Sequence, residues 1–169
     1  MFSLKQEMRQ KYEKHSAMFF YENSSGFEDG LIEKILNLAY ANLFPFTCKT
    51  WNIYAVKSPI ILQRLYKAVN DKIITESAAV LVICDDKNSL STEELNSEIK
   101  LLALSISYAA KYYCIDHYIV NDFDNSIVVR ELSLNRQIKV HVIICLGYFT
   151  GKEMCNTSQN NPRGIVKIL

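Results

Sequence analysis

The stretch from Ser91 to Tyr113, uninterrupted by glycine or proline, constrains the fold more than any other. Ser91 followed three residues later by Glu94 is a capping-box signature, in which hydroxyl and carboxylate each satisfy a backbone N–H that the first helical turn leaves orphaned. Leu95, Ile99, Leu102, Ile106, Ala109 or Ala110 and Tyr113 then recur at spacings of three and four, which predicts a helix of about six turns with one continuous apolar stripe. Leu101, Leu104 and Tyr108 lie outside that stripe, so beyond Lys100 the helix is apolar almost all round. One sheet cannot cover such a helix. It needs further partners, either elsewhere in its own core or on a second subunit, because an obligate dimer interface resembles a domain core.

The 169 residues are read as a single domain, 1–169, long enough to bury a substantial core. Nineteen Lys and Arg against 18 Asp and Glu leave no overall field to draw the chain to nucleic acid or a membrane. The five cysteines, Cys48, Cys84, Cys114, Cys145 and Cys155, form no C-x-x-C pair and have no histidine at finger-like spacing, so no zinc site is expected. Three of them sit in apolar runs, which predicts buried reduced thiols and a cytoplasmic location. No apolar run reaches the length of a bilayer span without a charge, and the polar first residues do not read as a signal peptide.

Residues 1–14 carry Phe2, Leu4, Met8 and Tyr12 at helical spacing and predict an amphipathic opening helix. Ser25 with Glu28 offers a second capping box, opening a helix over 27–41. Trp51 to Val56 is aromatic and β-branched enough for a strand. Ser58-Pro59 then reads as an N-cap with proline at the first helical position, and the helix ends near Asn70. Ala78 to Cys84 has no polar alternation, as expected of a strand buried on both faces at the centre of a sheet. His117 to Val120 is a short strand, Asp124 or Asn125 caps a helix over Ile127 to Leu134, and Ile138 to Leu146 is a further strand stopped by Gly147. Gly164 to Leu169 is a candidate edge strand. Interleaved helices and strands around one sheet of about four or five strands place the fold in the α/β or α+β class.

No hydrolytic motif is present: G-x-S-x-G, H-E-x-x-H and a glycine-rich phosphate loop are all missing. His141 alternates with Val140 and Val142 and reads as a structural residue on a sheet surface. The acidic pairs Asp85-Asp86, Glu93-Glu94 and Asp122-Asp124 fall at strand ends, caps and turns, where solvation and capping explain them. What remains is a set of small polar and basic groups at the ends of elements: Lys14-His15-Ser16, the Thr47 to Thr50 loop, Asn70 with Lys72, and Asn161-Pro162-Arg163.

In this order the segments resemble the nitroreductase family of FMN-dependent flavoproteins, as a short and divergent member. Lys14-His15-Ser16 stands where that family has R-H-S or R-R-S. The Trp51 strand follows a proline-containing loop, and Ser77 to Asp85 (SAAVLVICD) is similar to the family's central strand. The long helix, the turn Ile119-Val120-Asn121-Asp122-Phe123-Asp124, the strand ending Leu146-Gly147-Tyr148 and the closing Asn161-Pro162-Arg163 complete the series from about Lys11 to Arg163.

The resemblance implies an α+β fold with a mixed or antiparallel sheet, flanked by helices, and a homodimer with the long helix at its interface. It implies an NAD(P)H-dependent oxidoreductase that reduces nitroaromatic or quinone acceptors by a ping-pong cycle. Lys14 and Arg163 would neutralise the FMN phosphate, and His15 and Ser16 would bond phosphate or ribityl oxygens. Pro45 and Thr47 would approach the flavin from the partner subunit. Asn70 and Lys72 would meet its pyrimidine edge, where a cation stabilises the anionic reduced ring, and Asn121 and Asp122 would offer backbone N–H groups near N5. No side chain need act as nucleophile, since the redox chemistry is the cofactor's. The departures from the family pattern at Lys14, Thr47 and Asn161 leave open a second reading, a flavin-binding or interaction protein on the same fold with little or no reductase turnover. A third is an ordinary α/β domain with an unrelated pocket, for which a monomer would speak.

Overall fold

The computed structural model describes Phe27, residues 29–41, 51–86 and 92–148. The opening helix over 1–14, the side chains of both capping boxes, the 43–50 loop, the polar tail and the 164–169 strand lie outside the described residues. In chain order the elements are α1 (Asp29–Ala41), β1 (Trp51–Val56), α2 (Pro59–Val69), α3 (Ile73–Glu76), β2 (Ala79–Asp86), α4 (Thr92–Tyr112), β3 (Asp116–Val120), α5 (Asn125–Glu131) and β4 (Ile138–Gly147). The four strands form one antiparallel sheet in the order β1-β2-β4-β3. The fold is α+β.

Because β2 and β4 are central, both of their faces need apolar side chains, which accounts for the unbroken runs read in the sequence. Ala79, Leu81 and Ile83 face one core with Val142, Ile144 and Leu146, roofed by α1 and α4. Val80, Val82 and Cys84 face the other with Ile143 and Cys145, covered by α2, α3 and α5. The result is a three-layer sandwich with two cores. At the start of α1, the Lys57 ammonium donates to the Phe27 carbonyl at 3.1 Å and lies 5.9 Å from the Phe27 ring centre. At its end Tyr40 stacks on Trp51, the first residue of β1.

Helix α4 buries Leu95, Ile99, Leu102, Ile106 and Ala110 as its spacing predicts. It stops where Cys114 takes a left-handed backbone (φ 58°), and the Ile115 amide then donates to the Ala110 carbonyl at 2.9 Å. That is the closure glycine usually supplies.

Several expectations change. Ser58 precedes α2 but makes no side-chain capping bond. Helix α5 begins earlier and ends sooner than the predicted Ile127 to Leu134, because Asp124 caps it and Ser133 turns left-handed (φ 54°). The short helix α3 has no counterpart among the predicted elements. Cys84 and Cys145 are buried free thiols as expected, whereas Cys114 is exposed. Asp85 belongs to the strand rather than to a solvated end, being only 3 % exposed. His141 is not on an open sheet surface: its Nε2 lies 2.7 Å from Asp85 Oδ1 in a buried pair.

Candidate functional site

Four of the ten candidate residues, Asn70, Lys72, Asn121 and Asp122, fall in the described part of the chain; Lys14, His15, Ser16, Pro45, Thr47 and Arg163 lie outside it. Asn70 ends α2 in a left-handed conformation (φ 54°), a position asparagine tolerates better than most residues. Its amide donates to the Tyr66 carbonyl at 2.7 Å, and the residue is exposed.

Lys72, two residues on, leads into α3. Its carbonyl accepts from the Thr75 hydroxyl at 2.8 Å and from the Thr75 and Glu76 amides at 2.9 and 3.0 Å, which fixes the backbone beneath an exposed ammonium. Asp71 closes the same turn by accepting from the Ile73 amide at 3.0 Å. Burial raises the Glu76 carboxyl above its ordinary value, with Lys72 opposing and Asp71 adding to the shift.

Asn121 and Asp122 follow β3 and are both exposed. Their loop is held at its far end by Asp124, whose carboxylate accepts from the Ser126 amide at 2.9 Å and the Ile127 amide at 3.2 Å. The Ser126 hydroxyl, then the Ile127 amide, hold that carboxyl below the usual carboxylate range. The Asp124 amide in turn donates to the Ala68 carbonyl at 2.9 Å. This bond joins the loop after β3 to the last turn of α2. Residues 70 and 72 follow Ala68, and residues 121 and 122 precede Asp124, so each pair lies within four residues of this bond along the chain.

Asn70 offers an amide side chain, Lys72 a solvent-facing cation, and residues 121–122 an exposed loop. Groups of these kinds can hydrogen-bond a polar, electron-rich ligand edge. No group of three or more His, Cys, Asp or Glu side chains among the described residues is placed to hold a metal ion. What sequence reading missed is the Asp85–His141 pair, which depends on a bulge that leaves no local signal.

No family model and no curated protein matches the chain. Solved structures do. An FMN-dependent nitroreductase from Clostridium difficile R20291 superposes with TM-score 0.68 at 18% identity, covering 89% of this chain and 92% of that one. A nitroreductase family protein from Clostridium novyi NT gives 0.66 at 14%, covering 81% and 83%. One from Streptococcus pneumoniae TIGR4 gives 0.62 at 13%, covering 84% and 92%. The chain therefore has the nitroreductase fold, with sequence far diverged from these relatives in shape.

Proposed function

We propose that the chain is a flavin-dependent oxidoreductase that binds FMN and passes electrons from NADH or NADPH to nitroaromatic, quinone or related acceptors. One observation supports this reading above others: the chain shares its fold, over 89% of its length, with a protein named as FMN-dependent. When bound, the flavin supplies the hydride chemistry. The protein's own part is binding and charge. Lys72 offers a fixed cation to a ring edge that becomes electron-rich on reduction, Asn70 offers amide donor and acceptor, and the loop offers main-chain N–H groups. Lys14, His15, Ser16 and Arg163 are proposed for the phosphate and ribityl chain.

The assembly in this reading is a homodimer, with Pro45 and Thr47 reaching the partner's flavin. In support, α4 leaves Leu101, Leu104, Tyr108 and Tyr112 exposed by 39, 50, 72 and 74 % along one side, a row with no covering in the single chain described. A self-complementary helix face of this kind suits a two-fold interface. Among the described residues no helix is long and apolar enough to cross a membrane. The free, buried Cys84 and Cys145 thiols support a reducing, cytoplasmic setting.

The test is turnover by FMN-loaded protein, followed as acceptor-dependent oxidation of NADH and of NADPH with a nitrobenzoate and a benzoquinone. Oxidation that depends on both nucleotide and acceptor supports the reading. Bound FMN without any acceptor-dependent turnover would favour the non-catalytic flavin protein instead.

A further inference from the structure

Strand β4 carries one residue more than the strand it pairs with. Ile83 lies opposite Val142 and Cys84 opposite Val140, so His141 is the extra residue of a β-bulge. Val140 stays with the α2 side core while Val142 turns to the α1 and α4 side. The bulge therefore sends His141 and Val142 to the same face. Asp85 reaches that face too, by alternation from Cys84 and Ile83, and the two side chains meet at 2.7 Å with only 7 % and 4 % of their surfaces exposed. Directly across from Asp85 on β1 stands Trp51, the first residue of that strand, packed against the same core. Tyr40 of α1 stacks on it at 5.5 Å and 23°.

We infer that the Asp85–His141 pair is a positioning device that holds Trp51, and with it the start of β1, in one fixed arrangement. The bulge keeps both Val140 and Val142 in their cores, since a one-residue slip would take one of them out, and the Asp85 contact gives the extra residue, His141, a polar partner on that face. A buried hydrogen-bonded polar pair adds little net stability over an apolar pair of the same volume, but it is directional. Opposite residues of an antiparallel pair lie side by side, so Asp85 is the cross-strand neighbour of Trp51. Thr47, proposed for the flavin, is four residues before Trp51 in the chain. The cofactor consequence rests on the flavin reading; the effect on Trp51 does not.

Trp51 is the single tryptophan, so its emission, excited where tyrosine does not absorb, reports this row alone. His141→Leu is expected to shift that emission to the red and to weaken FMN binding by about tenfold, the scale of one lost hydrogen bond. His141→Gln, whose amide can still donate to Asp85, restores the emission and most of the affinity. Should His141→Leu fail to fold, Asp85→Leu/His141→Leu removes both polar side chains together, and the same red shift is expected there. Wild-type emission in either folded leucine variant would overturn the inference, as would failure of the double variant to fold, which would make the pair a general stability element. If the wild-type protein takes up no FMN, the flavin reading fails while the Trp51 comparison still decides the positioning role.

Discussion

The Asp124 amide and the Ala68 carbonyl, 56 positions apart, meet at 2.9 Å and tie the loop after β3 to the end of α2. The bond lies at the corner where α2 and α5 share a core; Asn70 and Lys72 follow it along one segment, and Asn121 and Asp122 precede it along the other. Lys72 is the only cation of the four. Lys72→Ala is expected to weaken FMN binding by about 1.5 to 3 kcal/mol, the worth of a hydrogen bond to a charged group, with Lys72→Arg retaining most of it. A fluorescence titration giving an unchanged dissociation constant for the alanine variant would remove Lys72 from the site.

The exposed row on α4 predicts a dimer that charge can break. Leu104→Glu/Tyr108→Glu places like charges on a self-complementary face, where such juxtaposition costs several kcal/mol. Both side chains are at least half exposed in the single chain, so the subunit itself should keep its helical circular dichroism. Light scattering is expected to show the mass falling to that of one subunit. A mass unchanged by the substitutions would place the interface elsewhere.

His117 on β3 has a buried Nδ1 without a partner among the described residues. Burial first, then the nearby Lys111 ammonium, push its pKa below the ordinary 6.5, against the pull of Asp116. The folded state therefore binds this proton less readily than the unfolded chain. Stability is unaffected above about pH 6.5, the unfolded value, and declines as pH falls from there through the folded value. Urea unfolding across this range should show the decline shrink in His117→Gln. An identical pH profile in that variant would contradict the assignment.

The thiols should differ sharply in reactivity. Burial pushes Cys145 up to about 12, opposed by a hydrogen bond with the Ser77 side chain, so almost none of it is thiolate near neutrality. The Cys84 thiol is also buried and donates to the Asn52 carbonyl at 3.6 Å. Cys114 is exposed at the end of α4. Native maleimide labelling followed by peptide mapping is expected to modify Cys114 and to spare Cys84 and Cys145 until the protein unfolds. Rapid labelling of Cys145 would contradict its place in the core.

The elements that could be read in advance are those whose cause is local. Trp51–Val56 and the start of α2 at Pro59 coincide with the β-branched run and the Ser58-Pro59 signal, even though the Ser58 hydroxyl makes no capping bond. The unbroken apolar run predicted β2 as a central strand, and the second apolar side of α4 is the row found exposed. What could not be read depends on pairing between distant segments. Asp85 ends an apolar run and looks like a strand terminus until β4 brings His141 against it, and that requires a bulge invisible in either segment alone. The four-residue α3 is too short for a periodic signal, its turn being set by Asp71 and Lys72. Family resemblance, rather than periodicity, selected Asn70, Lys72, Asn121 and Asp122, and the Asp124–Ala68 bond, which links their two segments, could be read from neither segment alone.

The central claim is that this corner holds a flavin. It is tested most directly by the absorption spectrum of the purified protein after adding FMN and removing the unbound excess by gel filtration, then adding NADH or NADPH without oxygen. A flavin band that travels with the protein and bleaches on addition of a pyridine nucleotide is the expected result. Protein that emerges colourless, with all the FMN left in the small-molecule fractions, would contradict it.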